Sequence, residues 1–416
     1  MFRTGTQLMI LVLLVGLFLM RESRMAPMRA LEEGFADFLA MNSPRKELPP
    51  SITLVEIDES SLRDHPWPWT PLDFALFFQA ASGFRPELLA TDEILRWNPR
   101  SLSRDQRQKL PQYQKILREH VLRAPRLLIG SELGFPEDPQ QLPPLEGTPI
   151  IRHVSGNVSM IPEFTAIGLQ ADEDLRLASI PGFINLPDEE GVSRSAPLLL
   201  RYRGQVTPSF VLQAILLWEK LTPEDVSVVM GKHVTLADRL DIPIDEFGRM
   251  RVDFGAPRDR CGFDDLVLSS AQADAQRATI VPPALLNGRM LLLSRTDPDS
   301  RTLGLAANRI GSPGELMASA IATIQGRSFI KRVPSWFDAA VIGVAMLLAF
   351  FVPRWSKGST CSFALVAVAA YTLAALGGFG SSLTWVPIVL PAGLATFIAL
   401  YRLATPAVHG RRVERM

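Results

Sequence analysis

The chain has 416 residues, 47% hydrophobic and 21% charged, with 43 basic and 43 acidic side chains and no formal net charge. That balance gives no reason to expect nucleic acid, because a polyanion-binding domain carries a basic excess. The only cysteines, Cys261 and Cys361, exclude a disulfide inside the long polar segment, since the second lies at the end of an apolar run.

That run is one of four. The first covers residues 8–20, behind Met1, Phe2 and Arg3, and the other three crowd into residues 336–403. A helix needs ~20 apolar residues to cross the hydrocarbon. The first run reads as a retained N-terminal anchor, although its length is also that of a signal-peptide core. Either way residues 21–334 lie outside the cytoplasmic membrane.

Ile52 to Asp58, ITLVEID, is β-branched with a turn-prone end and predicts a strand. Pro71 then opens a helix whose Phe74, Phe77 and Phe78 share one face. Leu88 to Leu95 predicts a second strand, Pro111 opens a second helix, and Arg126 to Leu133 predicts a third strand. This alternation calls for a parallel sheet with right-handed crossovers. Further on, Gly182–Leu186 and Ser195–Tyr202 read as a hairpin around Asp188 to Gly191. Ser209–Leu221 reads as a helix, Met250–Phe254 and Met290–Ser294 as strands, and Gly314–Gly326 as a helix of small residues. The expected fold class is an α/β extracytoplasmic domain, with a mixed, largely parallel sheet and helices on its faces, plus an α-helical membrane region.

Four transmembrane helices are expected: residues 8–20, 336–353, 361–380 and 385–403. Connections as short as PRWSKGST and GSSLT allow only antiparallel hairpins, and in lipid such runs must be helical. Arg354, Lys357, Arg402, Arg411, Arg412 and Arg415 place the loop between the second and third runs, and the tail 404–416, in the cytoplasm with residues 1–7. Lys331 and Arg332 oppose this but belong to a long domain, whose charge counts for little.

Catalytic signatures are missing: no G-x-S-x-G elbow, no phosphate loop, no H-E-x-x-H and no paired zinc cysteines. The five histidines are scattered. Asp188, Glu190 and Gly191 read as an ordinary turn, and Asp297–Pro298–Asp299 lacks the alternating acids of a calcium loop. We therefore expect no catalytic residue, metal or cofactor. Ligands of open α/β sheets bind at the carboxyl ends of the strands, where Asp58, Asp92, Glu132 and Ser294–Arg295 fall. The plainer reading makes each Asp a cap for the next helix or loop. Trp67–Pro68–Trp69 either covers a ligand or braces the next helix.

The segments ITLVEIDESSLRDHPWPW, LLATDEIL, PDEEGVSRSAPL, MRVDFGAP, RMLLLSRTD and GELMASAIATIQGRSFIKRVP occur in an order and spacing that resemble the CHASE family of extracellular sensor domains, second type. The resemblance spans nearly the whole chain and departs from the family pattern at Thr70–Pro71, Leu293–Thr296 and Gly314–Glu315. It implies a bacterial inner-membrane sensor, multi-pass, with its large domain outside and its C-terminus inside. Only about a dozen residues come after the last run, so no output domain is expected and a separate signalling or envelope protein would receive the signal. A small-molecule or envelope ligand would meet Asp58, Trp67, Trp69, Asp92, Arg194 and Arg295, and a homodimer is plausible for signalling through helices. The alternative is a non-sensing envelope scaffold that keeps the fold as an interaction surface.

Overall fold

In a computed structural model the chain is described over residues 26–42, 51–100, 102–135, 148–187, 191–255, 258–306, 309–333, 336–337, 340–344, 347 and 355–404. It divides into two compact units, residues 46–329 and residues 1–45 with 330–416.

The first unit is built on one sheet. Its elements run β1 (Ile52–Ile57), α1 (Pro71–Gly83), β2 (Leu88–Thr91), α2 (Arg104–Val121), β3 (Leu127–Gly134), β4 (Ala166–Leu169), β5 (Ile180–Phe183), α3 (Phe210–Glu219), β6 (Asp259–Gly262), α4 (Phe263–Asp274), β7 (Met290–Arg295) and α5 (Pro313–Gln325). The spatial order is β6-β1-β7-β2-β3-β4, with β5 also on β3. All pairs are parallel except β3 with β4. The expected largely parallel sheet is therefore present. The late strand β7 enters between β1 and β2, which brings residues from widely separated parts of the chain to one edge.

Both faces of the sheet are covered, which is why its strands read as continuous apolar runs. Leu54, Ala90, Leu128 and Leu292 face α3 and α5, in a core with Phe210, Leu316 and Ile321. Val55, Leu89, Ile129, Leu291 and Leu293 face the other way, against Phe74, Phe77 and Phe78 of α1 and Phe263 of α4. The small residues of α5, among them Ala318, Ser319 and Ala322, bring it against β1, β7 and α3. At Gly182 a Cβ would stand 2.5 Å from the Phe210 ring, so the approach of β5 to α3 requires glycine there.

Local chemistry sets the helix starts. Thr70 and Asp73 form a capping box before α1, with Pro71 in its first turn. The second helix does not begin at Pro111: α2 starts at Arg104, capped by Ser103 with Gln106 in a second box, and Pro111 lies inside it. The S-x-x-Q signal outranks the proline, which merely omits one helical N–H.

The expected hairpin is also replaced. Ile180–Phe183 joins the main sheet beside β3, Ser195–Pro197 pairs with Arg249–Arg251, and Leu199–Tyr202 forms a hairpin with Gln205–Pro208. Val226–Val229, His233–Leu236 and Leu240–Pro243 add an antiparallel meander that the sequence pattern did not suggest.

In the second unit, the Lys357–Gly380 stretch is long and apolar enough to cross a membrane, with mean hydropathy 1.8 and only 17% of its most apolar window buried. It is the only such helix among the described residues. The Val389–Ala404 helix runs back antiparallel, as Lys357 Nζ donates to the Leu403 carbonyl at 2.9 Å. With 16 residues it falls short of a full straight span. The run at 8–20 lies outside the described residues, and of the run at 336–353 only residues 336–337, 340–344 and 347 are described, all helical. Of the four expected spans, one is therefore clear among the described residues. Within this unit the Glu32 carboxylate accepts the Ile388 and Val389 amides at 3.1 and 2.7 Å, satisfying donors at a helix start.

Replacing Phe77, fully buried between α1 and the sheet, by alanine should cost about 3–5 kcal/mol in chemical denaturation. Leu72→Ala, on the exposed side of the same helix, should change stability by roughly 0.5 kcal/mol or less.

Candidate functional site

The carboxyl ends of β2 and β7 are adjacent because Leu293 pairs with Thr91. The next residues along each strand therefore meet. Ser294 Oγ donates to Asp92 Oδ2 at 2.8 Å, and both side chains are buried. Asp92 Oδ1 has no hydrogen-bond partner among the described residues. One residue further, the Arg295 guanidinium makes a two-pronged bond to Asp297, at 2.8 and 2.7 Å, and lies 4.1 Å above the Trp67 ring. Such stacking orients the guanidinium while its edge serves the carboxylate.

Electrostatics single out the acids. Burial, and then the neighbouring Glu93 carboxylate, hold Asp92 well above the ordinary carboxylate range, against the Ser294 hydroxyl. Burial lifts Glu93 to about 7; Arg295 opposes this and Asp297 adds to it. Removing a carboxylate from water disfavours its charged form, and nearby like charge adds to the effect.

The first turn of α5 closes this cluster from above. A Cβ on Gly314 would stand 1.9 Å from Ser294 Oγ and 3.0 Å from Asp92 Oδ2, so only glycine lets the helix backbone come this close. Ser312 caps the turn by accepting the Glu315 amide at 3.1 Å. The Glu315 side chain, also buried, accepts from Arg258, Arg260 and Arg309. Two chain segments, one carrying Arg258 and Arg260 and the other Arg309, are thereby tied to the head of one helix.

Of the six residues expected at a ligand, Trp67, Asp92 and Arg295 belong to this cluster. Asp58 turns back on its own chain: its Oδ1 accepts from Ser60 Oγ and from the Ser61 amide and hydroxyl at 2.7–3.0 Å. Burial pushes its pKa up, but those bonds outweigh it and leave the carboxyl below its ordinary value. Here the capping reading holds. Trp69 is a core residue, 2% exposed, packed on Phe74 and Phe263 with its Nε1 donating to the His65 carbonyl. It braces the start of α1. Arg194 sits between two short strands, its carbonyl accepting the Val252 amide at 2.9 Å.

Sequence reasoning missed Glu93, Gly314, Glu315 and the three arginines, and it set Asp297 aside as part of a loop. Glu93 directly follows a chosen residue, and Ser312 with Glu315 is a visible capping pattern. The arginines carried no local signal, because Arg309 meets Arg258 and Arg260 only through the fold. Among the described residues no group of His, Cys, Asp and Glu could hold a metal ion. With two strongly perturbed carboxyls and a stacked guanidinium, the cluster can exchange protons and recognise a polar group.

A group whose native pKa is raised stabilises the fold fully below its unfolded value and loses that contribution as pH rises through its native value. For Glu93 that window runs from 4.5 to about 7. Glu93→Gln should therefore gain stability relative to the wild type on going from about pH 5 to pH 8, by up to about 3 kcal/mol. Parallel thermal melts across that range measure the difference; a constant offset would contradict it.

A family model described as the CHASE2 domain matches residues 9–352. Curated proteins and solved structures return no significant match. With most of its length covered by that model, the chain belongs to the CHASE2 family, a family of extracellular sensor domains.

Proposed function

We propose that this chain is a membrane-anchored sensor without catalysis of its own, in which the cluster at the ends of β2 and β7 receives the stimulus and α5 carries it towards the membrane. The observation that carries the reading is the seating of Gly314 on Ser294 and Asp92. Any change in those two side chains acts directly on a helix head. From Gln325, at the other end of α5, the chain passes within a few residues to Ile330, where the unit holding the apolar Lys357–Gly380 helix resumes.

A ligand shifts such a device only by binding its two positions unequally. Asp92 and Glu93 supply the inequality, because their charge depends on whether a donor or a proton meets them. The domain faces the outside of a bacterial inner membrane and hands its signal to a separate signalling protein. A homodimer is the natural carrier of a signal through helices.

Tagged full-length protein, solubilised from its native membrane in mild detergent, should carry with it a kinase or a cyclase in near-stoichiometric amount. Recovery of a stable envelope complex lacking any signalling enzyme would overturn the sensor reading in favour of a scaffold.

A further inference from the structure

At the head of α5, Glu315 Oε1 accepts from the terminal nitrogens of Arg258, Arg260 and Arg309. Three guanidiniums crowd one oxygen, which offers lone pairs for about two. Glu56 shares Arg260 at 3.4 Å, so two carboxylates face three guanidiniums. Burial also pushes the Glu56 pKa up, against the Arg260 charge.

The three arginines differ in access. The Arg258 side chain is 7% exposed, and its Nε has no partner among the described residues. A buried donor left unpaired costs about 1–3 kcal/mol, and more on a charged group. Arg260 and Arg309 are 47% and 35% exposed, so their remaining N–H groups are open to solvent. Desolvation also lowers the Arg258 pKa; Glu315 opposes this, and the two neighbouring guanidiniums add to it.

All three bonds fall on Oε1 of Glu315, so an anion that presents one oxygen to Arg260 and another to Arg309 would serve the arrangement better. Guanidiniums match phosphate and carboxylate oxygens two at a time. The start of α5 adds the positive end of its dipole. We propose that Arg258, Arg260 and Arg309 form a binding site for a small oxyanion, a phosphate or carboxylate group, with Glu315 as its built-in competitor. The ligand enters over Arg260 and Arg309 and displaces the Glu315 carboxylate from them. Arg258 stays buried as the floor of the site.

The site stands apart from the signalling reading. Anion binding is measured as affinity alone, so a protein that binds without signalling overturns only the sensor reading, and one that signals without binding overturns only this one.

The test uses the full chain in lipid nanodiscs, titrated with inorganic phosphate or with succinate, against sodium chloride at matched ionic strength. Binding is read as a concentration-dependent rise in melting temperature and by calorimetry. Phosphate, succinate or both should stabilise the protein beyond chloride, and the stronger of the two identifies the oxyanion class. Arg260→Gln combined with Arg309→Gln should weaken binding at least tenfold. Glu315→Gln, which removes the competing charge but keeps the side-chain shape, should tighten it several-fold. A purely structural ion network predicts the reverse for Glu315→Gln. No stabilisation beyond chloride in the wild type, or unchanged affinity in the double arginine variant, overturns the site. The wild-type titration decides the matter even where Glu315→Gln fails to fold.

Discussion

The approach of the α5 backbone to the end of the central sheet is the contact on which the rest of the site depends. Gly314 has no Cβ, and its place against Ser294 and Asp92 leaves no room for one. The order of the sheet creates the need. With β7 inserted between β1 and β2, the residues after Leu293 and Thr91 emerge side by side, and the helix next in the chain after β7 packs over them. Close packing of this kind has discrete arrangements and does not deform continuously, so a small change beneath the turn moves the helix as a body.

Charge is distributed unequally around that turn. Beneath it, burial raises the pKa values of the Asp92 and Glu93 carboxyls above the ordinary range. Beside it, the Glu315 side chain accepts from three arginines. Buried ion groups are poor sources of net stability, because desolvation consumes much of the Coulomb gain. Their value lies in specificity, and here they fix where α5 begins. The Arg295–Asp297 bond and the Trp67 ring do the same for the chain leaving β7. Even Asp58, which takes no part in the cluster, serves local order by holding the turn between β1 and the Trp67 segment.

Much of the fold was legible in the chain. ITLVEI, LLAT and MLLLSR are uninterrupted apolar strands, and a sheet covered on both faces demands that pattern, while the phenylalanines of α1 mark its core side. The rest failed for physical reasons. Short strands such as Ser195–Pro197 and Arg249–Arg251 owe their pairing to distant partners, so a nearby turn signal at Asp188 to Gly191 suggested the wrong hairpin. Pro111 drew attention from a better cap at Ser103. At the site, Asp92 and Arg295 were found by the rule that strand ends carry ligands, and Trp67 through the Trp67–Pro68–Trp69 aromatic pattern. Trp69 shares the dipeptide pattern of Trp67, but burial assigned it to the core, and no sequence cue separates the two. Glu315 was hidden by its role as an ordinary first-turn acid.

Local helix propensity and the seating of α5 on the sheet pull in opposite directions at one residue, and the difference can be measured. Alanine is intrinsically better in a helix than glycine by about 1 kcal/mol, so propensity alone makes Gly314→Ala firm up α5. Hydrogen exchange on the full chain in nanodiscs should instead show the first-turn amides of α5, from Glu315 to Ala318, exchanging at least tenfold faster in the variant, with α2 unchanged as an internal control. Exchange in α5 that is equal to or slower than the wild type would show that the seat on Ser294 and Asp92 does not hold the helix, and would contradict the central claim.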